Sequence, residues 1–379
     1  MQNRKVNVLF LLNSLTFGGG EKHVVSLLNG LSTEKFNLSL GYLKDKTTLL
    51  PQLNQQRLTL LFHAGVRSKI DFRAARTIAK YIDELDIDVI VCTNEYPLIF
   101  SYLARKFSIK QPAMMEVFHS TIMQTLKDKL RLKILKPLFK IQHKLVYVCQ
   151  AQKDLWEKQG LKGQQNLVIY NGIDTDYFHD NWSDEDKLAI RRKYGFNEKD
   201  YVIGICAALR PEKAHRDLIQ AIAALRKKGV LAHCLIIGEG AEREKIERQI
   251  KDLTLEQDIR ISGFMEDVRP LISVCDVMTL VSHGETFSIS ALESMSLGKP
   301  MLMSDIGGAK EQVSDDINGY LFPVGDILRL TEALEKLSDP EKCRQFGQIS
   351  RKQVVSHFSE KLMLEQFEDE LSDLGVKHT

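Results

Sequence analysis

Apolar runs too short to be core helices recur along this chain, and most are followed by a segment whose apolar residues fall at helical spacing. In the first half the runs are Val6–Leu12, Phe36–Leu43, Leu58–His63, Val89–Thr93, Met114–Phe118, Leu145–Cys149 and Asn166–Ile169. In the second half they are Tyr201–Ala207, Ala232–Ile237, Ile259–Ser262, Val277–Val281 and Pro300–Met303. Short continuous apolar runs predict strands buried on both faces, and strands alternating with helices predict parallel sheets of the doubly wound α/β kind. The 379 residues exceed what one core ordinarily organises, so two such domains are expected. The turn cluster Tyr170-Asn171-Gly172-Ile173-Asp174 and the acidic stretch Asp180–Asp186 interrupt the alternation and place the boundary within residues 172–198.

Sheets of this kind bind ligands beyond the carboxyl ends of their strands, so the strand-to-helix loops are where chemistry is expected. Val277–Val281 leads into Gly284-Glu285-Thr286-Phe287-Ser288-Ile289-Ser290-Ala291-Leu292-Glu293. Ile289, Leu292, Met295 and Leu297 follow helical spacing, and Ser288 is a candidate N-cap, which leaves Glu285 on the loop and Glu293 inside the helix. Free N–H groups at such a helix start form an anion site. Eight residues of helix rise about 12 Å, further apart than the roughly 5–9.5 Å that glycosidase carboxylate pairs require. The two glutamates therefore suit different parts of one long ligand. Arg210 and Lys213 follow Tyr201–Ala207, Gly238-Glu239-Gly240 follows Ala232–Ile237, and Gly307–Glu311 follows Pro300–Met303. Two cations, glycine turns and a helix start suit a diphosphate, with carboxylates for attached hydroxyls. The second domain is thus expected to hold a nucleotide-like ligand, facing a cleft against the first.

In the first half, Gly18-Gly19-Gly20-Glu21 follows the opening strand without the G-x-G-x-x-G spacing of a dinucleotide site, and a helix is expected from about Lys22. Asn94-Glu95-Tyr96-Pro97 and His119-Ser120 are polar groups at strand ends. A net charge of +2 argues against a general polyanion binder. Six scattered cysteines, with no C-x-x-C, read as reduced core residues of a cytosolic protein, without a metal role. Val6–Leu12 is too short for a signal peptide, and no apolar run approaches the length of a membrane span. Lys127, Lys129, Arg131, Lys133, Lys136, Lys140 and Lys144, interleaved with leucine and isoleucine and interrupted by Pro137, predict a basic amphipathic helix, either a solvated face packed on the sheet or one that rests on an anionic membrane. Phe139 is its only aromatic residue, which argues against nucleic acid.

Taken together and in order, Gly19-Gly20-Glu21, His119, Tyr170–Asp174, Pro211-Glu212-Lys213, Gly238-Glu239-Gly240, Glu285 with Glu293, Gly307-Gly308 with Glu311, and Asn318-Gly319 resemble glycosyltransferase family 4, also called group 1. The resemblance implies the GT-B fold, two facing Rossmann-like domains. It divides the chain into residues 1–172 on the acceptor side, residues 173–358 for the nucleotide sugar, and a helix over 359–379 that returns to the first domain. It implies a retaining, metal-independent transfer from a UDP- or GDP-linked sugar, without a cofactor, to a glycan or lipid-linked acceptor. The product would be a cell-surface polysaccharide or lipopolysaccharide, made in the cytoplasm or at the inner face of the membrane. By that resemblance Lys213 neutralises the diphosphate with the backbone N–H groups of Phe287, Ser288 and Ile289. Glu285 holds sugar hydroxyls and Glu293 the ribose. Gly19 and Gly20 approach donor phosphate and acceptor, and His119 touches the transferred sugar. Two positions depart from the family pattern: Ala208 stands where an arginine usually precedes the lysine, leaving Arg210 nearby, and Ser288 stands where glycine is usual.

Overall fold

The computed structural model describes residues 4–16, 18–120 and 126–377. They form two compact units, one running to Asn171 and resuming at Glu360, the other from Gly172 to Ser359. The first unit contains β1 (Val6–Leu12), α1 (Gly19–Gly30), β2 (Phe36–Tyr42), β3 (Leu58–His63), α2 (Phe72–Glu84), β4 (Val89–Thr93), α3 (Glu95–Phe107), β5 (Ala113–Phe118), α4 (Leu126–Lys140), β6 (Lys144–Tyr147), α5 (Gln150–Lys158) and β7 (Gln165–Val168). Its seven strands are parallel in the order β3-β2-β1-β4-β5-β6-β7. The strands are apolar at successive positions because helices cover both faces; every residue of β4 and β5 is buried. The order reverses between β1 and β4, the point at which doubly wound sheets leave a crevice at their carboxyl end.

The second unit opens with α6 (Asp184–Lys193), followed by β8 (Tyr201–Cys206), α7 (His215–Lys227), β9 (Ala232–Ile237), α8 (Arg243–Asp252), β10 (Ile259–Gly263), α9 (Arg269–Ser273), β11 (Val277–Leu280), α10 (Ile289–Ser296), β12 (Met301–Ser304), α11 (Ala309–Gln312), β13 (Gly319–Phe322), α12 (Ile327–Lys336) and α13 (Pro340–His357). Its six parallel strands run β10-β9-β8-β11-β12-β13, with the reversal between β8 and β11. Ile203, Ile205, Leu218, Ile222, Ile236 and Leu334, all essentially inaccessible, fill the layer between this sheet and α7, α8 and α12. The final helix, α14 (Glu360–Lys377), belongs to the first unit. There Lys144, 2% exposed on β6, pairs with Glu370 and with Asp373 at 2.7 Å, while Glu368 accepts from the Ser32 N–H at 2.8 Å and pairs with Lys35 at 2.7 Å. A hydrogen bond from Ser26 to Glu360 anchors its first turn.

The strand runs read from the sequence agree with the observed strands to within a residue or two, and both sheets are doubly wound as expected. Three details differ. The acidic stretch read only as an interruption begins α6, where Ser183 and Asp186 make reciprocal 3.2 Å bonds to each other's backbone N–H and the three acids sit in the first turn. Helix α1 begins at Gly19 rather than near Lys22, because Gly18 is already extended as its N-cap and the remaining glycines form the first turn. Pro137 does not end α4, which continues through it to Lys140.

Candidate functional site

In the second unit the candidate residues Lys213 and Glu285 sit on the loops after β8 and β11, the two strands that flank the reversal. After β8 the chain makes a tight turn at Pro211–Lys213, then Ala214 takes a left-handed conformation, φ 50° and ψ 36°, and starts α7. That turn delivers the Lys213 ammonium to Glu285 on the loop after β11, Nζ to Oε2 at 2.5 Å, with both side chains about one-fifth exposed. Neighbouring loops hold this pair from behind. A Cβ added at Gly238 would lie 2.1 Å from the Ala207 carbonyl, so the loop after β9 rests directly on the loop after β8. Gly307, at φ 60°, does the same for the next pair: a Cβ there would lie 2.4 Å from the Glu285 carbonyl. The Gly308 N–H also donates to the Thr286 carbonyl at 2.7 Å. Glycine at these positions serves loop-on-loop contact.

Of the residues expected at the donor site, Lys213 and Glu285 are brought together. Arg210 stands apart, with a side chain 59% exposed and Glu212 as its nearest acid at 4.0 Å. Phe287 is buried with its ring edge-on to Phe358, centroids 5.3 Å apart. Ile289 is the first residue of α10, and Glu293 is buried within that helix. Ser288 corrects the expectation of three free N–H donors. Its N–H donates to Gln312 Oε1 at 3.3 Å, Gln312 Nε2 returns a 2.8 Å bond to the Ser288 carbonyl, and the hydroxyl caps its own helix through the Ala291 N–H at 3.2 Å. A side chain on α11 thus satisfies the backbone group read as an anion donor; nothing in the spacing of Gln312 announced this.

Behind the pair lies His215, 2% exposed with no protein hydrogen-bond partner for either ring nitrogen. Burial, reinforced by the Lys213 charge, lowers its pKa to about 4, so it is neutral at physiological pH. His283 Nε2 approaches Asp217 Oδ2 at 2.6 Å on the rim. Neither histidine was singled out from the sequence; each lies on a loop or helix start whose neighbours are known only in three dimensions.

The first unit has its own polar cluster at the carboxyl ends of its strands. A Cβ added at Gly20 would lie 3.3 Å from His119 Cδ2 and 3.4 Å from Asn94 Nδ2, so α1, β4 and β5 converge here. Gly19, by contrast, has open space beside it. The His119 N–H donates to Asn94 Oδ1 at 3.0 Å. Burial lowers the His119 pKa to about 4, again leaving a neutral ring. Edge-on to it, centroids 5.0 Å apart, is His23 of α1, itself 3% exposed and backed by Phe367 of α14 at 5.4 Å. His23 was missed because a histidine on a helix's buried face carries no signal in one sequence.

The basic stretch is only partly as expected. Lys127 and Lys129 have side chains outside the described residues. Lys144 is no surface cation; it is buried on β6 and paired with Glu370 and Asp373 of α14. Arg131 pairs with Glu95 at 2.8 Å, and Lys136 donates to the Gln159 carbonyl. Leu132, Leu135 and Phe139 face the core, while Leu130 and Ile134 are 60% and 67% exposed. The six cysteines are thiols, with no disulfide among the described residues. Among the described residues no cluster of potential metal ligands occurs, and no helix is long and apolar enough to cross a membrane.

Two family models match the chain: glycosyl transferases group 1 over residues 186–353 and glycosyltransferase family 4 over residues 17–177. Among curated proteins, the N-acetyl-alpha-D-glucosaminyl L-malate synthase of Bacillus anthracis is 29% identical over 53% of this chain and 52% of its own length. The capsular polysaccharide biosynthesis glycosyltransferase CapM of Staphylococcus aureus is 26% identical over 52% of each chain. The chain thus spans about half the length of the curated relatives it matches. HepE of Anabaena, whose crystal structure is described in complex with UDP, superposes with a TM-score of 0.85 over 97% of this chain and all of its own, at 21% identity.

Proposed function

We propose that this chain, which belongs to the group 1 glycosyltransferases, moves a sugar from a nucleotide-sugar donor to a glycan or glycolipid acceptor of a cell-surface polysaccharide, with retention of configuration and without a metal ion. The observation that carries the reading is the Lys213–Glu285 pair, held at 2.5 Å on the loops that flank the reversal of the second sheet. A bound donor redistributes that pair. Lys213 turns to the diphosphate, where charge develops as the sugar–oxygen bond breaks, and Glu285 is released to accept from sugar hydroxyls. A fixed cation at the leaving group lowers the barrier because it needs no reorganisation during the reaction. The exposed Arg210 supplies the second positive charge in place of a metal. In a retaining transfer the acceptor oxygen bonds to the anomeric carbon on the face the nucleoside diphosphate leaves, and the departing phosphate oxygen takes the acceptor's proton. Glu293 holds the ribose, and His119, neutral, offers a hydrogen bond to the transferred sugar.

HepE, described with UDP, makes UDP the first nucleotide to try. Calorimetric titration with UDP and with GDP tests the reading. One of the two binds, and Glu293→Gln weakens it by roughly tenfold, the worth of one hydrogen bond to a charged group. Absence of binding by both nucleotides and by their sugar conjugates overturns the donor assignment.

A membrane contact through α4 is part of the same proposal. Leu130 and Ile134 stand in solvent beside Lys133 and Lys140, an apolar stripe flanked by cations. Sedimentation with phosphatidylserine vesicles at low salt is expected to carry the protein down, and Ile134→Glu to leave it in solution. No sedimentation of the wild type removes the idea.

A further inference from the structure

The residue that begins the turn from β4 to α3 has a backbone conformation that asparagine does not ordinarily adopt. Asn94 lies at φ 65° and ψ 172°. Asparagine tolerates the left-handed helical region near ψ 45°, but extended ψ at positive φ is essentially glycine's alone. Nor is the side chain spent on the helix it precedes, since Asn94 makes no capping bond to α3. Its Oδ1 instead accepts the His119 N–H at 3.0 Å, across from β4 to the end of β5. Among the described residues only Oδ1 of this side chain is hydrogen-bonded; Nδ2 lies toward Gly20, 3.4 Å from where a Cβ there would stand. A costly backbone held in place by a well-packed sheet, with a half-buried amide donor at a strand's carboxyl end, is a feature that clusters where ligands are held.

We propose that Asn94 is a ligand-contacting residue of the first unit, its carboxamide oxygen fixing the His119 backbone while its N–H2 donates to a hydroxyl oxygen of the transferred sugar or the acceptor. This rests on the glycosyl-transfer reading and adds to it a residue that the family motifs in the sequence do not include. The Gly20 position stays open because a side chain there would crowd both His119 and the amide. The Asn94 amide is a neutral donor, suited to hydroxyl groups rather than to phosphate.

Two substitutions separate the contact from a structural role. Asn94→Gly removes the strained side chain, the amide donor and the acceptor of the His119 N–H together, and transfer is expected to fall roughly tenfold or more. Asn94→Asp keeps an oxygen for the His119 N–H but has no amide donor, so it is expected to fold as the wild type and lose transfer to a similar extent. Transfer is read as nucleoside diphosphate released from UDP-glucose, or from the GDP-linked sugar if titration selects GDP, with host-cell membranes as acceptor. Asn94→Asp folded and running at the wild-type rate overturns the assignment. If Lys213→Ala also runs at the wild-type rate, or no nucleotide sugar binds, the transferase reading falls with it; if Lys213→Ala is impaired, the failure is that of Asn94 alone.

Discussion

The two units present the same architecture and opposite chemistry at the carboxyl ends of their sheets. Beyond β8 and β11 stand a lysine, a glutamate and an exposed arginine. Beyond β1, β4 and β5 stand a buried histidine, His23, a half-buried one, His119, and an asparagine, none carrying charge at neutral pH. Charge concentrates where the proposed reading puts the leaving diphosphate, and neutral groups where it puts the sugar and acceptor hydroxyls. The contrast also shows in how each unit bends its chain. The second packs glycines against neighbouring carbonyls, Gly238 on Ala207 and Gly307 on Glu285. The first places a non-glycine residue, Asn94, in a glycine conformation. A glycine turn supports a neighbour, whereas a strained asparagine keeps a side chain that glycine would lack.

The comparison breaks most visibly at Lys213. Lys213→Ala removes the cation at the leaving group and is expected to lower turnover by about 10²–10³-fold, as loss of a preorganised charge-stabilising donor does, with the fold intact by circular dichroism. His119→Ala in the neutral cluster removes one hydrogen bond and is expected to cost less, roughly tenfold. A His119 loss equal to or larger than that of Lys213 would invert the assignment of roles between the units.

A smaller effect appears in stability. His119 and His215, one in each unit, have pKa values lowered to about 4 by burial. An unfolded histidine titrates near 6.5. Between those values the unfolded chain takes up protons that the folded one refuses, so stability is complete above pH 6.5 and declines as pH falls toward 4. Urea midpoints measured at pH 7 and pH 5 are expected to drop, and the drop to shrink in the His119→Gln/His215→Gln double variant. An unchanged drop would place the acid sensitivity elsewhere, with His23 the next group to test, since burial and the neighbouring His119 lower its pKa as well.

Much of the fold was legible because buried parallel strands leave a continuous apolar signature: β4 and β5 are apolar or small along nearly their whole length and sit in the sheet's middle. Parts of the site were legible for a related reason. Loops after such strands carry glycine and charge that no core requires, and Lys213 and Glu285 stand out there although 72 residues separate them. What was not legible depends on partners far along the chain. Lys144 reads as one more cation of a basic helix until α14 brings Glu370 and Asp373 to it. The Ser288 N–H reads as a free donor until Gln312 takes it.

The sequence by itself determined that this chain builds two doubly wound sheets and that polar groups gather at their strand ends, because burial pattern and turn chemistry are local properties of neighbouring residues. Only the tertiary structure decided which of those groups meet. It set Lys213 against Glu285, gave His23 and His119 a shared dry environment, and turned the Asn94 amide toward Gly20. Hydrogen bonds and ion pairs act over a few ångströms, and which residues lie within that reach is settled by the packing of helices on sheets, not by spacing along the chain.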